Sequence, residues 1–169
     1  MGLLTWDALR ITGGRIIDTT FGLRYPGTPA GEYFKTSLRR ADLHDTRFEG
    51  TTAFHKVDMR CANLRNVSAA AADGQLTFDR VNLAFADLRG ADLSGAVFQD
   101  SSARYVLIDG ETILPQPRDG APAVVNTDFG GIRVEGPSRD AELRAVFGVD
   151  ASRRDRADWI PFPDCSQSL

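Results

Sequence analysis

Few residues in this chain combine the type and spacing that chemistry requires. His44 and His55 are the natural general bases, but each directly follows a large apolar residue, Leu43 or Phe54, and is read as a solvated histidine on its own side of the chain path. Asp42, Asp58, Asp87 and Asp92 would supply carboxylates, yet they occupy one recurring slot, spread over several sides, and form no acid–base pair. Asp128-Phe129-Gly130 matches a kinase tripeptide, without the glycine-rich loop, V-A-I-K strand or H-R-D segment that would give it a role. No G-x-S-x-G, H-E-x-x-H, Walker loop or paired-cysteine zinc pattern is present. Cys61 and Cys165 lack metal-ligand spacing and are expected to be reduced thiols. Asn66-Val67-Ser68 matches a glycosylation acceptor but has no secretion signal to give it meaning. The expectation is therefore no catalytic, cofactor-binding or metal residues, and no enzyme; an active site between loops and tail has no motif behind it.

The elements that must carry these residues are announced by "VNLAFADLRGADLSGAVF" at 81–98. Leu83, Leu88, Leu93 and Phe98 recur at every fifth position. A helix does not explain this, because five residues advance about 500° at about 3.6 per turn and scatter the leucines around the axis. A straight strand does not either, since odd spacing sends alternate residues to opposite faces. The period requires a chain that bends after each short stretch. The residue two before each apolar hub is small: Ala86, Ala91 and Ala96. Upstream, Leu38, Leu43 and Phe48, then Phe54, Met59 and Leu64, continue the pattern.

The units "ADLHD", "ANLRN", "ADLRG" and "ADLSG" resemble the pentapeptide repeat family, whose pattern is A-(D/N)-L-x-x; the clear match covers residues 36–67 and 76–108. The resemblance implies an all-β fold, a right-handed quadrilateral β-helix with four units per coil, each side carrying one inward hub. Dealing the hubs onto four sides gives four columns. The first is aromatic: Trp6, Tyr33, Phe54, Phe78, Phe98, Phe129. The second is Ile11, Leu38, Met59, Leu83, Ala103, Val134; the third Ile16, Leu43, Leu64, Leu88, Ile108; the fourth Phe21, Phe48, Ala69, Leu93, Ile113. Every insertion then falls at the corner before the aromatic side, giving loops at about 22–30, 70–76 and 114–126 with turn-rich "RYPGTPAG", "AAADG" and "PQPRDGAP".

This divides the chain into a β-helix over 1–136 and a C-terminal helix and tail over 137–169. Ser138 is placed to cap that helix, with Asp140 and Glu142 in its first turns. Leu143, Val146 and Phe147 share a face and Gly148 ends it. A Trp159-Ile160-Pro161-Phe162 patch follows. Helix and patch are read as a cap on the last coil, with a dimer contact as the alternative, so the chain is expected to be a monomer or a dimer through this segment.

The surface columns hold the candidate partner-binding residues. Lys35, Lys56 and Arg80 stack at the corner leaving the aromatic side; Arg39, Arg60 and Arg104 occupy outward slots on the next side; Phe85 and Tyr105 line the corner after that. This reads as a basic stripe bordered by aromatics for an acidic protein partner, or as a solvated face with the two rings under the C-terminal tail. Net charge is only −3, from 23 acids and 20 bases, so neither nucleic acid nor membrane binding is indicated. No apolar run reaches the ~20 residues of a membrane span, and no leader is seen, so a cytoplasmic and, from the family and the Arg- and Ala-rich composition, bacterial protein is expected. The favoured function is a non-enzymatic protein–protein interaction module. Some members of the family mimic DNA, bind DNA gyrase and protect against topoisomerase-directed inhibitors, which makes gyrase or topoisomerase protection and antibiotic resistance the alternative. Residues 32–108 carry ten acids and ten bases, too neutral for a mimic of a phosphate backbone.

Overall fold

The computed structural model describes residues 6–7, 20–21, 32–34, 37–48, 50–69, 74–149 and 165. Its strands are β1 (Trp6–Asp7), β2 (Thr20–Phe21), β3 (Glu32–Phe34), β4 (Arg47–Phe48), β5 (Gly50–His55), β6 (Gly74–Asp79), β7 (Ala96–Gln99), β8 (Leu107–Asp109), β9 (Val124–Val125) and β10 (Arg133–Glu135), followed by helix α1 (Asp140–Phe147). All strand pairings are parallel. The chain is a right-handed four-sided β-helix. Face one is the sheet β1-β3-β5-β6-β7-β9; face three includes β8–β10 and face four β2–β4. Face two is a run of single parallel bridges, Ser37 to Asp58 to Asn82 to Ser102 to Asp128.

The five-residue period follows from how each side ends. The N–H of Ala41 bonds to Leu38 O, and likewise Ala62 to Met59, Ala86 to Leu83 and Ala91 to Leu88. In these turns the third residue has positive φ: Arg40 (58°), Cys61 (59°), Phe85 (64°) and Gly90 (67°), as a type II turn requires. The small residue after the turn is the one two before the next hub, and it is buried: Ala41, Ala62, Ala86 and Ala91 are all at 0–1% exposure. A bulkier side chain there would push the turn off the coil beneath.

Inside, like stacks on like. Phe54, Phe78 and Phe98 form the face-one column, with centroids 5.8 and 4.8 Å apart and planes within 14° of parallel. Trp6 and Tyr33 precede them in register. The column's far end differs from expectation. Phe98 pairs with Val124, not Phe129. Phe129 belongs to face two, where Asp128 pairs with Ser102 and so sets Phe129 on Ala103. Val134 correspondingly moves to face three, over Ile108. The physical reason is that Val124 is a hub with no aromatic ring, and Pro122 rather than a small residue stands two before it. Ala103 leaves room for the Phe129 ring, which still meets Phe98 edge-on at 5.4 Å.

The face-four hub also shifts by one residue. Leu114 is buried and Ile113 is 48% exposed, the reverse of expectation. Leu114 lies six positions after Ile108 instead of five, and Asp109 absorbs the extra residue. Its Oδ1 accepts from the backbone N–H groups of Gly90, Glu111 and Thr112. The loop at 70–76 is likewise shorter than expected, because Gly74–Leu76 belong to β6 in register with Gly50–Thr52. The 22–30 loop lies outside the described residues, as do Ile11 and Ile16.

Helix α1 covers the last coil. Leu143 is fully buried, and Phe147 stacks on Phe129 at 3.9 Å. Arg139 Nη1 donates to Asp109 O and Thr112 O, both at 2.7 Å. Gly148 ends the helix in the left-handed conformation, as expected. The N-cap position is Arg139 rather than Ser138, whose hydroxyl accepts from Asp140 N at 3.4 Å.

Phe78, packed by a ring on either side, should lose about 3–5 kcal/mol of stability on substitution by Ala. Leu114→Ala should cost about 2–5 kcal/mol and Ile113→Ala within about 0.5 kcal/mol. Urea unfolding of the three variants checks both the column and the shifted register.

Candidate functional site

The coil register brings seven of the eight candidate partner-binding residues to one side of the rod; Lys35 lies outside the described residues. Arg39, Arg60 and Arg104 follow the face-two hubs Leu38, Met59 and Ala103, with Ala84 between the last two. Lys56 and Arg80 stack at the corner between faces one and two, the N–H of Lys56 bonding to Asp79 O and that of Arg80 to Gln99 O. Arg40, Cys61, Phe85, Tyr105 and Gly131 form the corner between faces two and three, again through rung-to-rung bonds (Cys61 N to Ala84 O, Phe85 N to Arg104 O, Tyr105 N to Gly130 O).

That second corner is unusual. Phe85 and Tyr105 hold φ of 64° and 58°, a conformation bulky residues seldom adopt. Their rings stack at 5.0 Å, within 13° of parallel, and both are half-buried. The Arg104 guanidinium carbon lies 5.3 Å from the Tyr105 ring centre, and its Nη2 donates to Tyr105 Oη at 3.3 Å. Gly131 completes the ladder: a side chain there would run into the Tyr105 ring.

The stripe is less basic than its residue types suggest. Arg60 grips Asp58 with Nε and Nη2, the latter at 2.6 Å. Arg104 Nε lies 3.6 Å from Asp128, and Arg80 Nε lies 3.7 Å from Asp79, which also accepts from His55 Nδ1. The corner column beyond Arg80 turns acidic and polar, with Asn126 Nδ2 donating to Asp100 Oδ1 at 2.6 Å. Burial pushes the Asp58 carboxyl up, but the Arg60 hydrogen bonds and the Arg60 and Arg39 charges outweigh it and hold the group below the usual carboxylate range. Asp109 behaves likewise: burial raises it, and the N–H groups of Gly90, Thr112 and Glu111 bring it lower.

A second ion cluster was not anticipated. On face three Arg89 binds Asp87 with two nitrogens and reaches Glu135. Hydrogen bonding to Asp87 raises its pKa well above the ordinary arginine value. Nearby Arg133 is lowered by burial and by the Arg89 charge, with Asp87 opposing. The sequence signal is Asp-x-Arg, in Asp58-Met59-Arg60 and Asp87-Leu88-Arg89. Residues two apart on a strand share a face, so carboxylate and guanidinium meet beside an inward hub. His44 is similarly tied, its Nδ1 donating to Asp42 Oδ1 at 2.6 Å.

The cysteines overturn an expectation. Cys61 and Cys165 are disulfide-bonded across 104 residues, with Cα atoms 5.5 Å apart. Long separation hid the pair, because only the winding of the coils and the return of the C-terminus bring the two together. Among the described residues no group of three potential metal ligands occurs, and no helix is long and apolar enough to cross a membrane.

Comparison with known proteins follows the same lines. Residues 78–106 match the family model for pentapeptide repeats, in 8 copies. No curated protein matches the chain. Among solved structures the chain is similar to HetL, a pentapeptide repeat protein involved in heterocyst differentiation regulation from the cyanobacterium Nostoc, at 12% identity, covering 75% of this chain and 86% of that one, with a TM-score of 0.38. It is also similar to QnrB1, a plasmid-mediated fluoroquinolone resistance protein, at 14% identity over 85% of this chain and 97% of that one, TM-score 0.35. A third is the pentapeptide repeat protein Rfr23 from the cyanobacterium Cyanothece, at 18% identity over 75% and 84%, TM-score 0.31.

The lowered Asp58 carboxyl carries a pH dependence of defined sign. The folded state binds its proton less readily than the unfolded chain, so the contribution is complete above about pH 5 and is lost as pH falls through the folded-state pKa. Asp58→Asn should flatten the acid limb of the stability curve, with little change in its shape above pH 6. Denaturant midpoints of wild type and variant between pH 2 and 7 check it.

Proposed function

Because the chain is a pentapeptide repeat protein, we propose that it acts without catalysis as a protein-interaction module, with face two and its two corners as the contact surface. One observation carries this reading: the stacked, half-buried Phe85–Tyr105 pair, held in a strained corner with Arg104 against the outer ring. The coil does not need large aromatics there, since Arg40 and Gly131 turn the same corner on other rungs. Left-handed backbone at a bulky residue costs on the order of 1 kcal/mol or more. Aromatics and arginines are the types enriched at the energetic centres of protein interfaces. Lys56, Arg80, Arg39 and Arg60 flank the rings and favour a partner presenting carboxylates around an apolar centre.

Topoisomerase protection is the reading this one competes with. Mimicry of DNA calls for acidic groups aligned along a face, whereas here Asp58 and Asp128 sit against Arg60 and Arg104. This pairing supports the adaptor over the mimic.

Substituting both Lys56 and Arg104 by Glu should slow association with a partner captured from the source cell by about tenfold or more at low salt, and less at high salt. Arg60 is left intact because it grips the half-buried Asp58 with two nitrogens, whereas Arg104 lies 3.6 Å from an exposed Asp128 that solvent screens. Arg47→Glu on face four should leave the rate unchanged. The same proteins go into a gyrase supercoiling assay. Strong inhibition or protection by wild type that the double reversal leaves unaltered would replace the adaptor reading by topoisomerase binding.

A further inference from the structure

The last described coil is lightly held. Its face-one strand, β9, has two residues, its hub Val124 is only partly buried, and Val125 is 39% exposed. Helix α1 covers that coil with eight residues, of which only Leu143 is buried; Val146 and Phe147 are partly so, and Arg139 gives the helix no side-chain capping bond. A helix this short holds by packing, and the terminal unit of a stacked ladder is where opening begins. The Cys61–Cys165 bond acts on this end of the rod and not on the other. Cys61 sits in the coil that begins with β5, and the loop closed by the bond runs from there through the coils of β6, β7 and β9 and helix α1, a separation of 104 residues. The coils of β1 and β3 lie outside that loop. Both cysteines are partly exposed, so a small reductant has access to the bond.

We propose that the Cys61–Cys165 bond is a redox switch on the C-terminal end of the rod. Closed, it holds the last coil and α1 against fraying; opened by a dithiol, it lets that end come apart while the coils before Cys61 stay as they are. The bond acts through chain entropy. When the last coil and α1 come off a stack that still holds Cys61, the freed chain remains tied at both of its ends, and the open state is denied most of the freedom that would favour it. With the bond reduced, the same chain has a free end. Disulfides typically change such an equilibrium by about thirtyfold to about a thousandfold. Coils at the other end come off without drawing on the loop, so the bond leaves their opening untouched. Reduction takes two electrons and two protons from a dithiol: the reagent closes to its own disulfide, and Cys61 and Cys165 become thiols. Disulfides persist in oxidising compartments and are reduced in the cytosol, so the setting decides which of the two states the rod adopts.

Amide hydrogen exchange of the full chain, read residue by residue by NMR, tests this without any partner. The N–H groups of Phe98, Asp100, Ala103 and Tyr105 donate to the carbonyls of Ala123, Val125, Asp128 and Gly130, and so report opening of the last coil. Those of Leu38, Arg40 and Leu43 donate to the carbonyls of Asp58, Arg60 and Asn63, and report the coil before Cys61. Exchange is followed in wild-type protein, oxidised and dithiol-reduced, and in Cys165→Ser with and without the dithiol. Reduction of the wild type should speed exchange in the first group by about thirtyfold or more and leave the second group unchanged. Cys165→Ser should start at the reduced rates and ignore the dithiol. Equal rates in the oxidised and reduced wild type would overturn the switch. Equal acceleration of both groups would overturn it as well, by making the bond a staple of the whole fold, and so would two alkylatable thiols in protein never exposed to reductant.

Discussion

Along each side of a coil the backbone bonds to the coils above and below, and the rest of the molecule depends on that ladder. Met59 N bonds upward to Asn82 O and Asn82 N downward to Val57 O; Leu83 N repeats the step to Ser102 O. Because the bonds connect equivalent positions, a residue's neighbours are those in the same slot of adjacent coils. Phenylalanines therefore stack with phenylalanines, and alanines before hubs meet alanines. A ladder of this kind has open ends. At the last coil the described structure closes it with α1, where Leu143 is buried, Phe147 stacks on Phe129 and Arg139 donates to the Asp109 and Thr112 carbonyls.

The same rule converts sequence spacing into surface chemistry. Outward slots flank each hub, so Asp-x-Arg becomes an ion pair, and corner residues line up as columns. Lys56 over Arg80 is one such column; Cys61, Phe85 and Tyr105 form another. Three of the bases here have a carboxylate on a neighbouring slot: Asp79 for Arg80, Asp58 for Arg60, Asp128 for Arg104. The face that results is charged but largely balanced locally, with the half-buried Phe85 and Tyr105 rings along one corner.

Much of this was legible from residue types alone. The hub spacing called for a chain that bends after each short stretch, and the likeness of its A-(D/N)-L units to pentapeptide repeats supplied the four-sided winding, most clearly over 81–98, where hub and small residue recur together. Legibility failed where a unit lost one of them. Val124 is a hub without an aromatic ring, so Phe129 was assigned to its column. Asp109 spends its carboxylate on three backbone N–H groups to take up one extra residue, and Ile113 and Leu114 cannot be told apart by hydrophobicity. For the surface, period and slot give the positions of Arg39, Arg60, Arg104, Phe85 and Tyr105 on the coil, but the pairing of their charges depends on side-chain reach across two residues. The disulfide was out of reach, since a separation of 104 residues carries no local pattern.

The central claim is that one continuous register, shifted at Asp109 and again at Val124, orders both core and surface. The most direct test is a set of nuclear Overhauser contacts from the Phe129 ring. The register described here predicts contacts to the Ala103 methyl, the Phe98 ring and the Phe147 ring, with Val134 methyls near Ile108. Contacts that place Val134 against Ala103, with Phe129 stacked face to face on Phe98, would contradict it.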